Sequence, residues 1–264
     1  MIGGYNLISF LLSALKIIFL LGLLIFIHES GHFLVAKFCK VKVNEFAIGF
    51  GPTIWKKQGK ETKYALRLIP LGGFVNMEGE EQESSEDGSF SKASIPQRIA
   101  IVAAGAIVNI TFGIIVFLIL MTIYHMGMEL VPSENNIGSH LSFAFEQTKD
   151  FIVSIIDNLK QLFTGKVGVD QMMGPVGISS TVAKTEDWFD FFYIISLISL
   201  SLGITNLLPI PALDGGKILI LIVEAIRKKP LDQKLEVKIQ LVGFSFIIAL
   251  SLLITYNDIV KLFV

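Results

Sequence analysis

Charge is scarce in this chain. Only 17% of its 264 residues are Asp, Glu, Lys or Arg, where a soluble domain carries about 25%. Hydrophobic residues make up 52%, and the mean hydropathy is +0.66. That balance argues against a water-soluble globule and for a chain whose solvent is lipid. Cysteine is nearly absent: Cys39 stands alone, which excludes an internal disulfide and a structural zinc site built on thiolates. The net charge of −1 argues neither for nor against nucleic acid, but there is no basic arm and no interleaving of aromatic with basic residues to track phosphates, so no nucleic-acid partner is expected. Internal repeats are absent. The one biased stretch, Glu78 to Asp87, carries six acids in ten residues and reads as a solvated, mobile loop.

Long apolar runs are abundant. A helix that spans a bilayer needs about 20 predominantly apolar residues, and four runs suit: Leu7 to Ile27, Ile99 to Tyr124, Phe191 to Leu213 and Ile239 to Tyr256. They set spans of about 7–36, 97–124, 191–226 and 237–257. The first ends in His28-Glu29-Ser30-Gly31-His32 rather than in small residues before a cut, so it reads as a retained span and not a signal peptide. Lys and Arg collect between the first and second spans and again after the third, at Arg227, Lys228, Lys229, Lys234 and Lys238. By the positive-inside rule both termini lie outside and the His28 end of the first span faces the cytoplasm.

His28-Glu29-Ser30-Gly31-His32 is the HExxH pattern. On a helix His28 and His32 share one face, a turn apart, so both imidazoles reach one tetrahedral zinc while Glu29 stands beside it as base for the attacking water. Catalytic zinc takes a third protein ligand. The third span offers one in Asn206 to Gly216: Pro209 and Pro211 break the helix before Asp214, and Gly215 and Gly216 follow it. Irregular backbone at membrane depth belongs where it lines a wet cavity, and an acid in an uncharged span is worth more as a ligand than as a helix cap, though its position suits both. His125 and His140 fall at the other end of the topology and are not counted as ligands.

Between the first two spans, Lys63 to Leu68 alternates polar with apolar residues before Pro70-Leu71-Gly72-Gly73-Phe74, which reads as a hairpin. It is a soluble hairpin on the helix ends, or an edge strand dipping to the site and offering its backbone to an extended peptide. Glu129 to His140 reads as an exposed turn, and Ile152, Ile155, Ile156, Leu159, Leu162 and Phe163 recur at helical spacing, an amphipathic helix on the outer membrane surface or against the bundle. Gly174 to Ile178 reads as a loop.

These motifs together, with Gly49-Phe50-Gly51-Pro52 and Gly174-Pro175-Val176-Gly177 among them, resemble in order those of the site-2 protease family, most of all the bacterial branch that includes the regulator of sigma-E protease. The resemblance implies an all-α polytopic membrane protein of four transmembrane helices, with a short cytoplasmic membrane-reentrant β-hairpin and an external amphipathic helix, forming a single domain over 1–264. It implies intramembrane cleavage of single-span membrane proteins, anti-sigma-factor-like proteins or signal-peptide remnants, in a bacterial inner membrane. It implies Zn2+ held by His28, His32 and Asp214, Glu29 as catalytic base, and substrate contacts at Asn206, Gly72 and Gly73. One departure is large: the branch carries PDZ domains between the second and third spans, and Met126 to His140 is too short to hold one. A metal transporter and a zinc-binding scaffold that does not cut are the rival readings. Neither explains Glu29 beside the first histidine.

Overall fold

A computed structural model of the chain describes residues 7–80, 84–127, 136–166, 168 and 172–263. Seven helices and two bent strands follow in the order α1 (Leu7–Phe38), β1 (Val43–Gln58), β2 (Lys63–Met77), α2 (Ile95–Gly127), α3 (Ile137–Phe163), α4 (Pro175–Ala183), α5 (Trp188–Asn206), α6 (Asp214–Arg227) and α7 (Gln233–Phe263). Four of them, α1, α2, α5 and α7, are long and apolar enough to cross a membrane. Their surfaces fit that reading. Phe10, Leu15 and Phe19 of α1 and Leu241, Phe244 and Leu252 of α7 are all more than half exposed, an arrangement stable in lipid and not in water.

The chain divides into two compact units, residues 14–110 with 202–247, and residues 1–13, 111–201 and 248–264. The first is built around the end of α1. Ala36, Val41, Val43, Phe46, Val75, Met77, Phe90, Ile101, Val102 and Leu221 form its buried apolar core, so α1, the sheet, α2 and α6 are fixed to one another by shared burial. Phe33 and Phe46 meet edge to face at 5.4 Å.

The sheet is more folded than a hairpin. β1 and β2 pair antiparallel, but each bends, β1 at Gly49 and Gly51 and β2 at Gly72, all with φ between 82° and 96°, a region that favours glycine. Glu45 to Ile48 consequently has partners on both flanks, Lys63 to Leu66 on one and Gly73 to Asn76 on the other. Lys63 to Leu66 pairs in turn with Trp55 to Gln58 on its outer side, so four segments lie abreast there, and Gly73 to Asn76 forms an edge. The turn at Gly59 to Thr62 closes back on the start of β1, where Thr62 Oγ1 donates to Val43 O at 2.8 Å and the Glu61 carboxylate meets Lys37 Nζ at 2.8 Å. The bend expected before Phe74 is present inside β2, while this second reversal leaves no periodic trace in the sequence. Phe50, Ile54, Trp55, Leu68 and Ile69 remain exposed on the sheet.

In the second unit α3 buries Ala144, Thr148 and Phe151, and Phe151 stacks on Phe117 of α2 with ring centroids 4.0 Å apart. α3 begins at Ile137, so the turn expected to run to His140 is wrong at its end; residues 128–135 lie outside the described residues. His140 is buried, and its Nδ1 is 2.8 Å from Nδ1 of His125. The loop expected at Gly174 to Ile178 is also corrected, for Pro175 opens α4 with Gly174 as its N-cap. Proline suits that first position because its missing N–H is one of the orphans there. Two further N–H groups are met from α7, where buried Asp258 accepts from Gly174 and Gly177 at 3.0 and 2.8 Å.

Candidate metal centre

α1 runs unbroken through the HExxH stretch, so His28 and His32 project from one face. Their Nε2 atoms are 3.1 Å apart. Asp214 approaches the same point from α6, with Oδ2 3.3 Å from His28 Nε2 and 3.7 Å from His32 Nε2. The three side chains are 12–20% exposed. Among the described residues this is the one group of three or more His, Cys, Asp or Glu whose ligand atoms converge, all within 4.8 Å.

The break that the prolines predicted delivers Asp214. α5 ends at Asn206, the chain runs irregularly through Leu207 to Leu213 with Ala212 at φ 74°, and α6 starts at Asp214. Leu213 takes the N-cap position and makes no side-chain cap. Asp214 is therefore the first helical residue, with its carboxylate turned to the imidazoles. Its buried Oδ2 has no hydrogen-bond partner, a costly state for a carboxylate oxygen unless a cation meets it.

α2 sets the other side. His32 Nδ1 donates to the carbonyl of Ile101 at 2.8 Å, which fixes the tautomer and leaves the Nε2 lone pair for a metal. His28 Nδ1 lies 3.4 Å from Nδ2 of Asn109, which is fully buried, so the carboxamide packs against that ring and helps to fix its orientation. Gly105 makes the approach possible, because a Cβ there would sit 2.3 Å from His32 Nε2. Neither Asn109 nor Gly105 was singled out from the sequence. The small-residue run Ala103 to Ala106, which lets helices approach closely, was the signal available.

The trio opens on a cavity of about 230 Å3, also lined by Glu29, Gly73, Phe74, Glu80 and Lys217. Gly73 sits against the site: a Cβ there would be 2.9 Å from Glu29 Cγ and 2.9 Å from Ala47 O. Gly72 does not line this cavity; a Cβ on it would strike the ring of Phe50 instead. Asn206, half-buried at the end of α5, does not line it either. The arrangement offers two neutral nitrogens, one carboxylate and an adjacent second carboxylate in a partly enclosed space, the donor set of a tetrahedral zinc with one position left for water.

A family model described as Peptidase family M50 matches residues 16–250. A Fusobacterium nucleatum protein is 28% identical over 92% of this chain and 97% of its own length. The regulator of sigma-W protease RasP of Bacillus subtilis is 25% identical over 96% of this chain and all of its own length, and the zinc metalloprotease RasP of Bacillus licheniformis is 25% identical over 95% and 99%. The alignment with the Fusobacterium protein covers 331 residues. Since 92% of 264 residues is about 243, about 88 of those positions are filled by the relative alone.

Proposed function

This chain belongs to peptidase family M50, and from that premise we propose that it is a zinc metalloprotease that hydrolyses peptide bonds within the transmembrane segments of single-span membrane proteins. The observation that carries the reading is the convergence of His28, His32 and Asp214 on one point, with Glu29 in the same cavity. These three residues hold the zinc that the names of the Bacillus licheniformis relative and others carry. When bound, zinc supplies the Lewis acidity that makes water a competent nucleophile near neutral pH and polarises the scissile carbonyl.

The chain's own groups do the rest. Glu29 accepts the proton of the attacking water and hands it to the departing amine, so the peptide bond breaks as the new carboxyl forms. Ile101 O and Asn109 hold the two imidazoles in register. Asn206 is assigned to substrate or oxyanion contact on the strength of the family motif. A helical substrate hides its peptide bonds in its own hydrogen bonds, and unwinding it in lipid costs several kcal/mol per unsatisfied group. The Gly73 to Asn76 edge beside Glu29 replaces those bonds by strand addition, and the exposed apolar residues of the bent sheet support its entry into the bilayer.

The protein is multi-pass. Lys and Arg in the connections around the sheet and after α6 support a cytoplasmic position for the site, with the termini outside and α3 on the outer surface of a bacterial inner membrane. The positions that the Fusobacterium relative fills alone support the absence of an internal PDZ domain here, so one catalytic domain acts without that filter. Mass-spectrometric mapping of the products of a labelled single-span substrate tests the reading: a cut inside the span supports it, and a cut confined to the soluble flanks contradicts it.

A further inference from the structure

The cavity that holds the metal-binding trio is not the largest in its unit. A second, of about 1670 Å3, shares a wall with it: Phe74, Val75, Glu80 and Lys217 line both. Lys217 and Glu80 form an ion pair, so the shared wall carries one pair of opposite charges beside Phe74 and Val75. Small-ligand pockets measure about 300–1,000 Å3. A space of this size, beside a site that cuts chains, suits a length of polypeptide.

Its charges are unevenly satisfied. Buried Glu224 meets Arg98 Nη1 at 3.2 Å and accepts from Leu231 N at 2.8 Å. Asp232 accepts from Leu235 N at 3.1 Å at the start of α7, Glu236 accepts from Gln240 at 3.2 Å, and Glu80 is held by Lys217. Glu224 and Glu80 are thus neutralised by cations, whereas Asp232 and Glu236 accept only from neutral N–H groups and keep their charge. Arg227, Lys228 and Lys229, also in the lining and all exposed, form no ion pair among the described residues. Nor do the described acids of the chain's acidic run serve them, since Glu78 receives Asn44, Glu80 holds Lys217, Glu86 pairs with Lys42 and Asp87 with Lys92. Three adjacent cations are left facing a peptide-sized space with a wall in common with the catalytic cavity.

We propose that this chamber binds an acidic, extended peptide segment: the polar flank that follows the scissile span of the substrate on its cytoplasmic side. The inference rests on the proteolytic reading above and deepens it by naming the substrate feature that the enzyme selects. A chain laid along the Phe74 and Val75 edge passes Lys217 and Glu80 and reaches Arg227 to Lys229, where Asp or Glu side chains meet the cations. The same cations would suit anionic lipid headgroups; the wall shared with the catalytic cavity favours peptide.

The test is binding, so that it stands apart from cleavage. Fluorescent peptides with one common span and an acidic, neutral or basic flank are titrated against full-length Glu29→Gln protein in uncharged detergent. The acidic flank is expected to bind about tenfold tighter than the neutral one, with the advantage fading as salt rises. In Arg227→Gln/Lys228→Gln/Lys229→Gln the ratio is expected to fall to about one, and in the corresponding triple glutamate variant the preference is expected to pass to the basic flank. Equal binding of all flanks by the Glu29→Gln protein overturns the proposal, as does a ratio that survives both triple variants. A triple variant that loses only retention on phosphatidylglycerol vesicles overturns it too, assigning the cations to lipid. Wild-type protein that fails to cut any of these peptides counts against the proteolytic reading and leaves the binding result standing.

Discussion

Gly73 and Gly105 separate two ways of damaging the same few ångströms. A Cβ on Gly105 falls 2.3 Å from His32 Nε2, the atom assigned to the metal. Gly105→Ala is therefore expected to lower zinc affinity about 10–100-fold, the range for disturbed support of a ligand, and metal analysis after dialysis against chelator checks it. A Cβ on Gly73 meets Glu29 Cγ and Ala47 O instead, each at 2.9 Å. Gly73→Val is expected to keep its zinc and to cleave about 100-fold more slowly, because displacing the base by about 1 Å costs that much. Zinc lost from the Gly73 variant, or kept at full affinity by the Gly105 variant, would contradict these assignments. His28, His32 and Asp214 were legible because their signals are local: a four-residue spacing, and an acid behind two prolines in an uncharged run. Gly105, Asn109 and the Ile101 carbonyl were not, since their roles exist only once α2 lies against α1.

At the scale of elements, charge holds the bent sheet. Burial alone would raise the pKa of Glu45, but hydrogen bonds from Arg67 at 2.7 Å and Lys63 at 3.0 Å outweigh it and hold the carboxyl below its ordinary value of 4.5. A depressed carboxylate stabilises the fold above its unfolded pKa, and that contribution is lost as pH falls through the folded value. The difference in melting temperature between wild type and Glu45→Gln should accordingly be present at neutral pH, shrink as the pH falls below 4.5 and vanish once the folded carboxyl is protonated. A difference that does not change with pH would contradict the pairing. The α4 start depends on Asp258: Asp258→Ala leaves two N–H groups without their acceptor and should cost about 1–3 kcal/mol, read as a lower melting temperature. Hydropathy located four long apolar helices because length and apolarity are additive along a chain, but the third ends at Asn206, short of the expected 226, where the prolines break it. α4 escaped, since Gly-Pro-Val-Gly is loop chemistry locally and becomes a helix start only when a carboxylate from α7 arrives. The double fold of the sheet escaped for a similar reason, being set by glycine bends rather than by alternation.

At the scale of the molecule, the faces of the long helices are written for lipid, and the one convergent donor set among the described residues lies where a span is broken. The exposed apolar faces of α1 and α7 and the irregular Leu207 to Leu213 belong together: the first demand a bilayer, and the second is tolerated there only beside a wet, protein-lined space. A transporter would use the same donors to pass an ion and would not depend on Glu29. The most direct measurement is therefore cleavage of a single-span substrate in detergent by purified wild type and Glu29→Gln, with zinc assayed on both. The account predicts about one zinc per chain in each, cleavage by wild type, and a loss of at least about 100-fold in Glu29→Gln. Equal cleavage by the two proteins, or zinc in both with no cleavage of any unrelated span by wild type, would contradict it.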